Sequence, residues 1–280
     1  MSSESMQSDP TKPHPAPSQW QVPSYDVPLW HGRSQSACVI IPVINEGERI
    51  ARLLARMSKL GIARRADILI IDGGSKDGSL EPALLSEHRI RALLVKTGPG
   101  KLSAQLRCAY AFALSEGYDH LVTIDGNDKD DPEAIERFIG ALENGSDFVQ
   151  ASRFVTGGQA ENTPKSRDLA IRLIHAPLLS LSSGFHWTDT TQGFRGYSRR
   201  MLQDSRLAVF RDVFSGYELL AYLSHRAPKL GFRCVELPTI RRYPTGETPT
   251  KITAIRGNLT VLSVLFKACL GCYDTSASSP

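Results

Sequence analysis

Short, continuous apolar runs recur along this chain, each followed by polar residues and most by a segment with helical periodicity. The runs are ACVIIPVI (37–44), DILIID (67–72), IRALLV (90–95), HLVTID (120–125) and DFVQAS (147–152). A strand that is apolar on both faces is typical of a parallel sheet covered by helices. Such strands alternating with helices predict an α/β fold with a doubly wound, mostly parallel sheet.

Two of the intervening segments have a clear helical pattern. After the first run, one helix face collects the apolar residues Ile50, Leu53, Leu54, Met57 and Leu60, and Gly61 supplies a C-terminal stop. After the fourth run, we expect Asp131 to cap a helix that begins at Pro132 and ends before Gly145.

The composition is that of a soluble globular protein. Of 280 residues, 41% are hydrophobic and 22% are charged, with a formal net charge of +4. These values exclude disorder throughout, a collagen-like chain and a disulfide scaffold. The basic excess is too small and too scattered to predict a nucleic-acid partner, and it suits small anionic substrates or a membrane surface.

The cysteines and the apolar segments predict a cytoplasmic protein. The five cysteines have no framework spacing, and the single CxxC, from Cys269 to Cys272, has no second pair. The N-terminus lacks the pattern of a signal peptide, and no stretch reaches the ~18 apolar residues that a membrane span needs.

Composition also divides the chain. Residues 1–36 contain six of the 17 prolines and few aliphatic residues, which predicts a flexible or extended arm, with its aromatic residues docked on the domain. We expect a single domain in two halves, 37–155 and 156–272. Residues 273–280 are expected to form a tail.

Acids and amides follow several of the predicted strands at the point where each strand ends. They include Asn45 and Glu46 after the first run, Asp72 after the second and Asp125 after the fourth. Ligands of parallel sheets bind beyond the carboxyl ends of the strands. Carboxylates there suit a hard divalent cation and a diphosphate, and the acids after the first two strands could accept hydrogen bonds from a nucleoside.

At these residues the chain resembles the family 2 glycosyltransferases, which have the GT-A fold. The resemblance is strongest to the branch that transfers sugars to polyprenyl and dolichyl phosphates. It rests on an Asp125 motif like the family's DxD and on PVINE (42–46), DGGSKDGS (72–79), ASRFVTGG (151–158) and DTTQGFR (189–195). The similarity covers about 37–251. It implies that 37–155 is the nucleotide-sugar-binding half of the domain and that 156–272 is the acceptor-binding half.

The resemblance implies a role for each matching residue. The donor-binding set is Pro42, Asn45, Glu46, Asp72, Lys101, Asp125, Gly126, Asn127, Arg242 and Lys251. The acceptor-binding set is Arg153, Arg167, Gln192 and Arg195, and Arg153 is also placed in catalysis. Asp125 and Asn127 would hold Mg²⁺ or Mn²⁺.

The chain departs from the branch at the metal motif. Asn127 stands where the second aspartate is usual, so Asp128 is an alternative ligand. Lys129 stands where the branch often has a glutamine that supports the metal. The loop from Gly246 to Lys251 is longer than the branch's GESK, and assigning Lys251 assumes an insertion there.

The expected reaction is transfer of a sugar from a nucleoside-diphosphate sugar to a polyprenyl phosphate, with inversion at the anomeric carbon. A lipid phosphate is already anionic and needs no general base. Transfer to a soluble hydroxyl is the alternative, and Asp189 is then the candidate catalytic base. A catalytically silent protein that binds nucleotide sugars is a second alternative.

The C-terminal segment is basic and amphipathic. Between Arg241 and Lys267 it carries five basic residues against the single acid Glu247, and an apolar stripe from Leu259 to Phe266 lies within it. Three interpretations stay open for the stripe: packing on the sheet, contact with an anionic membrane at its inner face, or a homodimer contact.

Overall fold

The computed structural model describes residues 12–244 and 256–275, and its centre is an eight-stranded sheet. The strands in chain order are β1 (Tyr25–Trp30), β2 (Ala37–Val43), β3 (Asp67–Asp72), β4 (Ala92–Lys96), β5 (His120–Thr123), β6 (Phe148–Ser152), β7 (Gln159–Glu161), β8 (Arg195–Ser198), β9 (Cys234–Pro238) and β10 (Ile240–Arg242). The sheet order is β1-β4-β3-β2-β5-β8-β6-β9, and β7 pairs with β10 separately.

Most of this sheet is parallel. Strands β4, β3, β2 and β5 run parallel to one another, and β6 runs parallel to β9. Strand β8 is antiparallel to both β5 and β6 and joins the two parallel groups. The carboxyl ends of β2, β3 and β5 therefore meet at one edge of the sheet.

Helices cover both faces of the sheet. They are α1 (Glu48–Lys59), α2 (Pro82–Glu87), α3 (Leu102–Ser115), α4 (Ile135–Glu143), α5 (Lys165–Ala170), α6 (Ala176–Ser183), α7 (Arg199–Leu202), α8 (Glu218–Lys229) and α9 (Arg256–Cys269). A π-helical turn, Ile171–His175, joins α5 to α6.

Two apolar cores lie on opposite faces of the sheet because side chains alternate along each strand. In β2, Cys38 and Ile40 belong to the core beneath α3 and α8, whereas Val39 and Ile41 belong to the core beneath α1 and α4. This arrangement confirms the predicted α/β fold. The five predicted strands are β2 to β6, with small shifts at their ends.

The start of α4 differs from its prediction. Residues Pro132–Ala134 form a 3₁₀ turn before the helix, and the side chain of Asp131 makes no capping hydrogen bond. It is hydrogen-bonded to Glu133 instead, and burial together with that contact raises the pKa of Asp131 to about 6. Gly145 adopts a positive φ just after α4, as expected of a helix stop.

The predicted arm, residues 1–36, is part of the domain where the structure describes it. Residues 25–30 form edge strand β1, antiparallel to β4, and Pro28 lies where the pairing register shifts. Proline is tolerated at such an irregular edge because it lacks the N–H that a central strand needs. The ring of Trp20 stacks on Phe210 at 3.9 Å, so the aromatic residues do dock. Residues 1–11 lie outside the described part.

The C-terminal segment packs on the domain. In α9, Val264, Leu265 and Ala268 are buried, whereas Phe266 is half exposed. Part of the predicted tail, 273–280, is also packed, since Tyr273 is buried and the carboxylate of Asp274 pairs with Arg226. Among the described residues, no helix has the length and apolar character that crossing a bilayer requires.

Candidate active site

A cavity of about 600 Å³ lies beyond the carboxyl ends of β2, β3 and β5. Its wall carries six cationic and two acidic side chains, which favours an anionic ligand. The cationic ones are Arg49, Lys96, Lys101, Lys129, Arg167 and Arg241, and the acidic ones are Glu46 and Asp125. Of the predicted donor-binding residues, the cavity is lined by Pro42, Glu46, Lys101, Asp125, Gly126 and Asn127.

Two backbone segments pack closely around Asp125 at the cavity wall, one at Gly193 and one at the end of β2. A Cβ on Gly193 would lie 2.3 Å from Oδ1 of Asp125, so the loop before β8 can approach this carboxylate only with glycine at that position. Gly126 donates its N–H to the carbonyl of Pro42 at 3.4 Å. The sequence thus places the carboxylate between the end of β2 and the 189–195 loop.

Two other aspartates of the 125–131 loop are paired with arginines. Asp128 pairs with Arg52 at 3.4 Å and Arg56 at 3.0 Å and does not line the cavity, so the structure does not favour it over Asn127 as a ligand. Asp130 is buried, and both its oxygens lie 2.6 Å from Nη1 of Arg241.

Arg241 lies at the cavity, where Arg242 was predicted to lie. Nη2 of Arg241 lies 3.4 Å from Oδ2 of Asp125, at the cavity, whereas Arg242 is exposed and pairs with Glu161 at 2.8 Å. Consecutive residues of a strand point to opposite faces, so only one of the two arginines can enter the cavity. The structure therefore does not bring Arg242 to the cavity, and its donor-binding role stays a prediction. Lys251 lies outside the described residues.

Three cationic side chains of the cavity wall lie close to one tyrosine ring. Lys129, Arg167 and Arg241 all lie within 6 Å of the ring centroid of Tyr243, and Nη1 of Arg167 donates to its hydroxyl at 2.9 Å. Burial alone raises the pKa of Tyr243, but the charges of Arg241 and Arg167 outweigh it and lower the pKa. Arg167 is thus the predicted acceptor-binding residue that the cavity exposes.

Arg153 and Asp189 are brought together, but in the interior. Nε of Arg153 donates to Oδ2 of Asp189 at 2.7 Å, and Thr191 and Gln192 donate to the same carboxylate. Burial alone raises the pKa of Asp189, but the charge of Arg153 reverses the effect and lowers it. A fully buried carboxylate with a lowered pKa and these donors is not placed to remove a proton from an acceptor. The structure therefore does not bring Asp189 or Arg153 to the cavity wall, and the catalytic roles of both stay predictions.

Gln192 and Arg195 bind other parts of the fold, and the structure does not expose them at the cavity. Both are fully buried. Gln192 donates to Asp189 at 2.8 Å and to the carbonyl of Ala151 at 3.2 Å. Arg195 donates to three carbonyls, those of Gln192, Thr190 and Leu220, and so fixes the loop to α8. Their side chains were expected to bind a ligand because arginine and glutamine are as well suited to a phosphate or a sugar as to the protein groups that they bind here.

Asn45 and Asp72 shape the loops beside the cavity. Oδ1 of Asn45 accepts the N–H of Lys76 at 2.8 Å, and Asp72 accepts the N–H and hydroxyl of Ser75 at 2.9 and 2.6 Å. Neither lines the cavity, and their predicted donor contacts stay a prediction. Gln105 and Tyr217 do line the cavity. They were missed because a single amide or tyrosine, outside any recognised motif, does not indicate a binding site.

The residues fit a divalent cation only if a ligand completes its coordination. Asp125 and Asn127 are the two oxygen-bearing side chains of the predicted motif at the wall. Within the described residues there is no group of three or more His, Cys, Asp or Glu that could hold a metal. Mg²⁺ is commonly bound by one or two carboxylates together with substrate phosphates, and this donor set suits that mode.

Comparison with known proteins gives consistent matches. The profile of glycosyl transferase family 2 matches residues 38–206. The chain is 30% identical over 210 residues to polyprenol monophosphomannose synthase of Mycolicibacterium smegmatis, covering 73% of this chain and 77% of the relative. It is 30% identical over 201 residues to undecaprenyl-phosphate mannosyltransferase of Micrococcus luteus, covering 71% and 80%.

A solved structure shares the fold at lower identity. It is glucosyl-3-phosphoglycerate synthase from Mycobacterium tuberculosis in complex with Mn²⁺, UDP-glucose and phosphoglyceric acid. The TM-score is 0.60 at 17% identity, with 89% of this chain and 88% of that chain covered. Together with the profile match, which spans more than half of the sequence, these similarities show that the chain belongs to glycosyl transferase family 2 and is a glycosyltransferase with the GT-A fold.

Proposed function

We propose that this glycosyltransferase moves a sugar from a nucleoside-diphosphate sugar to a polyprenyl phosphate, with inversion at the anomeric carbon. The observation that carries the proposal is the cavity wall, where six cationic side chains face two acidic ones. Both substrates are phosphorylated, so a reaction between them needs this excess of positive charge. The relatives named after polyprenol and undecaprenyl phosphate support the acceptor class.

The donor is proposed to lie between the end of β2 and the 125–131 loop. Glu46 and the backbone around Gly73 offer acceptors and donors to a nucleoside, and Lys101 at the start of α3 adds a positive charge. Asp125 and Asn127 would hold Mg²⁺ or Mn²⁺ once the diphosphate completes its coordination. The bound ion would neutralise charge that develops on the departing diphosphate.

The acceptor phosphate is proposed to bind at Arg167. Its guanidinium lines the cavity and is fixed by the hydroxyl of Tyr243. Arginine binds phosphate oxygens through its planar fork. An acceptor phosphate is a ready nucleophile, so no carboxylate base is required, which agrees with the burial of Asp189.

Exposed leucines flank this position and suit a lipid substrate. Leu169 and Leu173, one helical turn apart, are 59% and 65% exposed on the segment that carries Arg167. Leu181 in α6 is 86% exposed. Arg172 lies among them, and such a mixture of leucine and arginine suits an anionic bilayer surface. We therefore propose peripheral association with the inner face of the membrane.

Two alternatives are weaker. Transfer to a soluble hydroxyl needs a base, and the candidate Asp189 is buried and paired with Arg153. A catalytically silent protein is set aside because the family and the relatives are transferases. A homodimer contact at the C-terminal stripe is no longer favoured, since Leu265 is buried within the domain.

The test is release of nucleoside diphosphate from a panel of nucleotide sugars, with and without a short polyprenyl phosphate. We expect one donor to be turned over and release to require the lipid phosphate. Release that requires a soluble hydroxyl acceptor instead would contradict the proposed acceptor. Binding of a donor without release in any mixture would contradict the proposed reaction as a whole.

A further inference from the structure

Three cations from separate parts of the chain converge on one aromatic ring. The distances from the Tyr243 ring centroid are 4.9 Å to Nζ of Lys129, 5.7 Å to the guanidinium carbon of Arg167 and 5.9 Å to that of Arg241. All three side chains line the cavity. We call Lys129, Arg167 and Arg241 the cation cluster.

Bringing these charges together costs free energy that a bound anion would recover. Like charges repel, and the repulsion grows as water is excluded from between them. Lys129 and Arg241 are both buried, so their charges are poorly screened by solvent. The carboxylates of Asp125 and Asp130 offset part of the repulsion. A ligand with several negative charges, such as a diphosphate, would relieve this repulsion when it enters the cavity.

The two oxygen groups suited to a divalent cation already have partners. Oδ2 of Asp125 lies 3.4 Å from Nη2 of Arg241. Oδ1 of Asn127 accepts the backbone N–H of Lys129 at 3.2 Å. A metal ion would therefore compete with a guanidinium for one oxygen and with an amide hydrogen for the other.

A backbone hydrogen bond joins the 125–131 loop, which carries Lys129, to β10, which carries Arg241. The backbone N–H of Arg242 donates to the carbonyl of Lys129 at 2.8 Å, which ties the 125–131 loop to the strand. The buried carboxylate of Asp130 fixes the guanidinium of Arg241 through bonds of 2.6 Å. The guanidinium of Arg241 thus occupies a fixed position beside Asp125, and the backbone of Lys129 is fixed to the same strand, before any ligand binds.

We propose that Lys129 and Arg241 are a built-in counter-charge for the donor's diphosphate, so that the donor binds without a divalent cation. This inference rests on the proposed function, because it assumes that the cavity takes a nucleoside diphosphate. Lysine supplies a compact charge and arginine a directional fork, and both make charge-assisted hydrogen bonds to phosphate oxygens. A divalent cation then adds little to ground-state binding, whatever it adds to turnover.

The experiment uses inorganic pyrophosphate as the probe and isothermal titration calorimetry as the readout. The full-length protein is titrated once in EDTA and once in excess Mg²⁺. We expect the two dissociation constants to agree within about threefold. Binding that weakens by about tenfold or more in EDTA, which is about 1.4 kcal/mol, would overturn the proposal and leave the proposed function standing.

The variant Lys129→Gln tests the residue directly. It removes the charge and keeps a polar side chain, and we expect pyrophosphate affinity in EDTA to fall by about tenfold or more. Excess Mg²⁺ should restore much of that loss, since the cation then meets less positive charge at Asp125. The matched control is Lys59→Gln, an exposed lysine at the end of α1, which should bind as the parent does.

The outcomes separate this proposal from the proposed function. If Lys129→Gln binds pyrophosphate in EDTA as tightly as the parent, Lys129 is not the counter-charge. If the parent protein binds pyrophosphate in neither buffer, both this proposal and the proposed donor site are contradicted. Because the comparison of the two buffers needs no variant, a folding defect in Lys129→Gln does not decide the result.

Discussion

Arg153 and Asp189 form a bidentate ion pair in the interior, beneath the cavity. Nε of Arg153 donates to Oδ2 of Asp189 at 2.7 Å, and Nη2 donates to Oδ1 at 3.1 Å. Both side chains are almost completely buried. The pair joins the end of β6 to the loop that leads into β8, and that loop contains Gly193, which packs against Asp125.

This pair predicts a loss of stability when one partner is removed. Asp189→Asn leaves the charge of Arg153 buried without its counter-charge, and we expect the free energy of unfolding to fall by about 3 kcal/mol. Urea denaturation measures this. The double variant Arg153→Met with Asp189→Leu should recover much of the loss because it buries no lone charge. A catalytic base at position 189 would instead give an inactive Asp189→Asn of unchanged stability.

A substitution at Gly193 should change the cavity because it displaces the carboxylate of Asp125. A methyl group at this position would lie 2.3 Å from Oδ1, so Gly193→Ala must displace the carboxylate. We expect turnover of the nucleotide sugar to fall by about tenfold or more. Gly140→Ala in α4 is the control, since no atom lies within 4 Å of the added methyl group. Equal activity in the two variants would show that Asp125 has no role in the reaction.

The neighbouring arginines of β10 predict opposite effects. Arg242→Gln removes an exposed pair with Glu161, worth about 0–1 kcal/mol, and should leave turnover within about twofold. Arg241→Lys keeps the charge but loses the fork that binds Asp130, so turnover and thermal stability should both fall. Steady-state kinetics and thermal melting of the two variants test this. A larger loss of turnover in Arg242→Gln would restore the sequence-based assignment.

Glu236 predicts a pH dependence of stability. Its carboxylate accepts the N–H groups of Thr188 and Asp189, and burial raises the pKa of Glu236 to about 7 from 4.5. The folded protein therefore binds a proton more tightly than the unfolded chain, so stability falls as the pH rises from about 4.5 to 7. The penalty is absent below this window and complete above it.

The matched variant isolates this group from other titrations. Glu236→Gln cannot ionise, so its free energy of unfolding should rise relative to the parent by about 3 kcal/mol across the same window. Urea denaturation at several pH values gives the difference. Parallel curves for the two proteins would show that the pKa of Glu236 is the same in the folded and unfolded states.

The exposed leucines predict binding to anionic vesicles. Replacing Leu169 and Leu173 by glutamine removes apolar contact area, and we expect sedimentation with phosphatidylglycerol vesicles to fall by about tenfold or more. Leu60→Gln, a partly exposed leucine after α1, is the control. If the parent protein does not bind such vesicles, the membrane association is contradicted.

The sequence predicts strands β2 to β6 of the eight-stranded sheet because each of them is a distinct apolar run. Strands β1, β8 and β9 were missed. The proline of β1 favours an extended arm, and β8 and β9 are short and lack a long apolar run. The cavity residues Asp125, Asn127 and Lys101 were found because they lie in loops that follow strand ends, where parallel sheets bind ligands.

Burial and strand phase explain what the sequence could not show. Asp189, Gln192 and Arg195 have side chains suited to a ligand, and only the fold reveals that they are enclosed. Arg241 and Arg242 are adjacent in a three-residue strand, too short for its alternation to identify the inward face. The cation cluster joins a loop, a helix and a strand, and this proximity has no sequence pattern.

The most direct test of the proposed reaction is the structure of its product. Once the donor panel has identified the nucleotide sugar, the protein is incubated with it and a short polyprenyl phosphate, and the lipid product is analysed by mass spectrometry and NMR. We predict a polyprenyl phosphate carrying one sugar on its phosphate oxygen, with the anomeric configuration opposite to that of the donor. A sugar attached to a hydroxyl, or a retained configuration, would contradict the account.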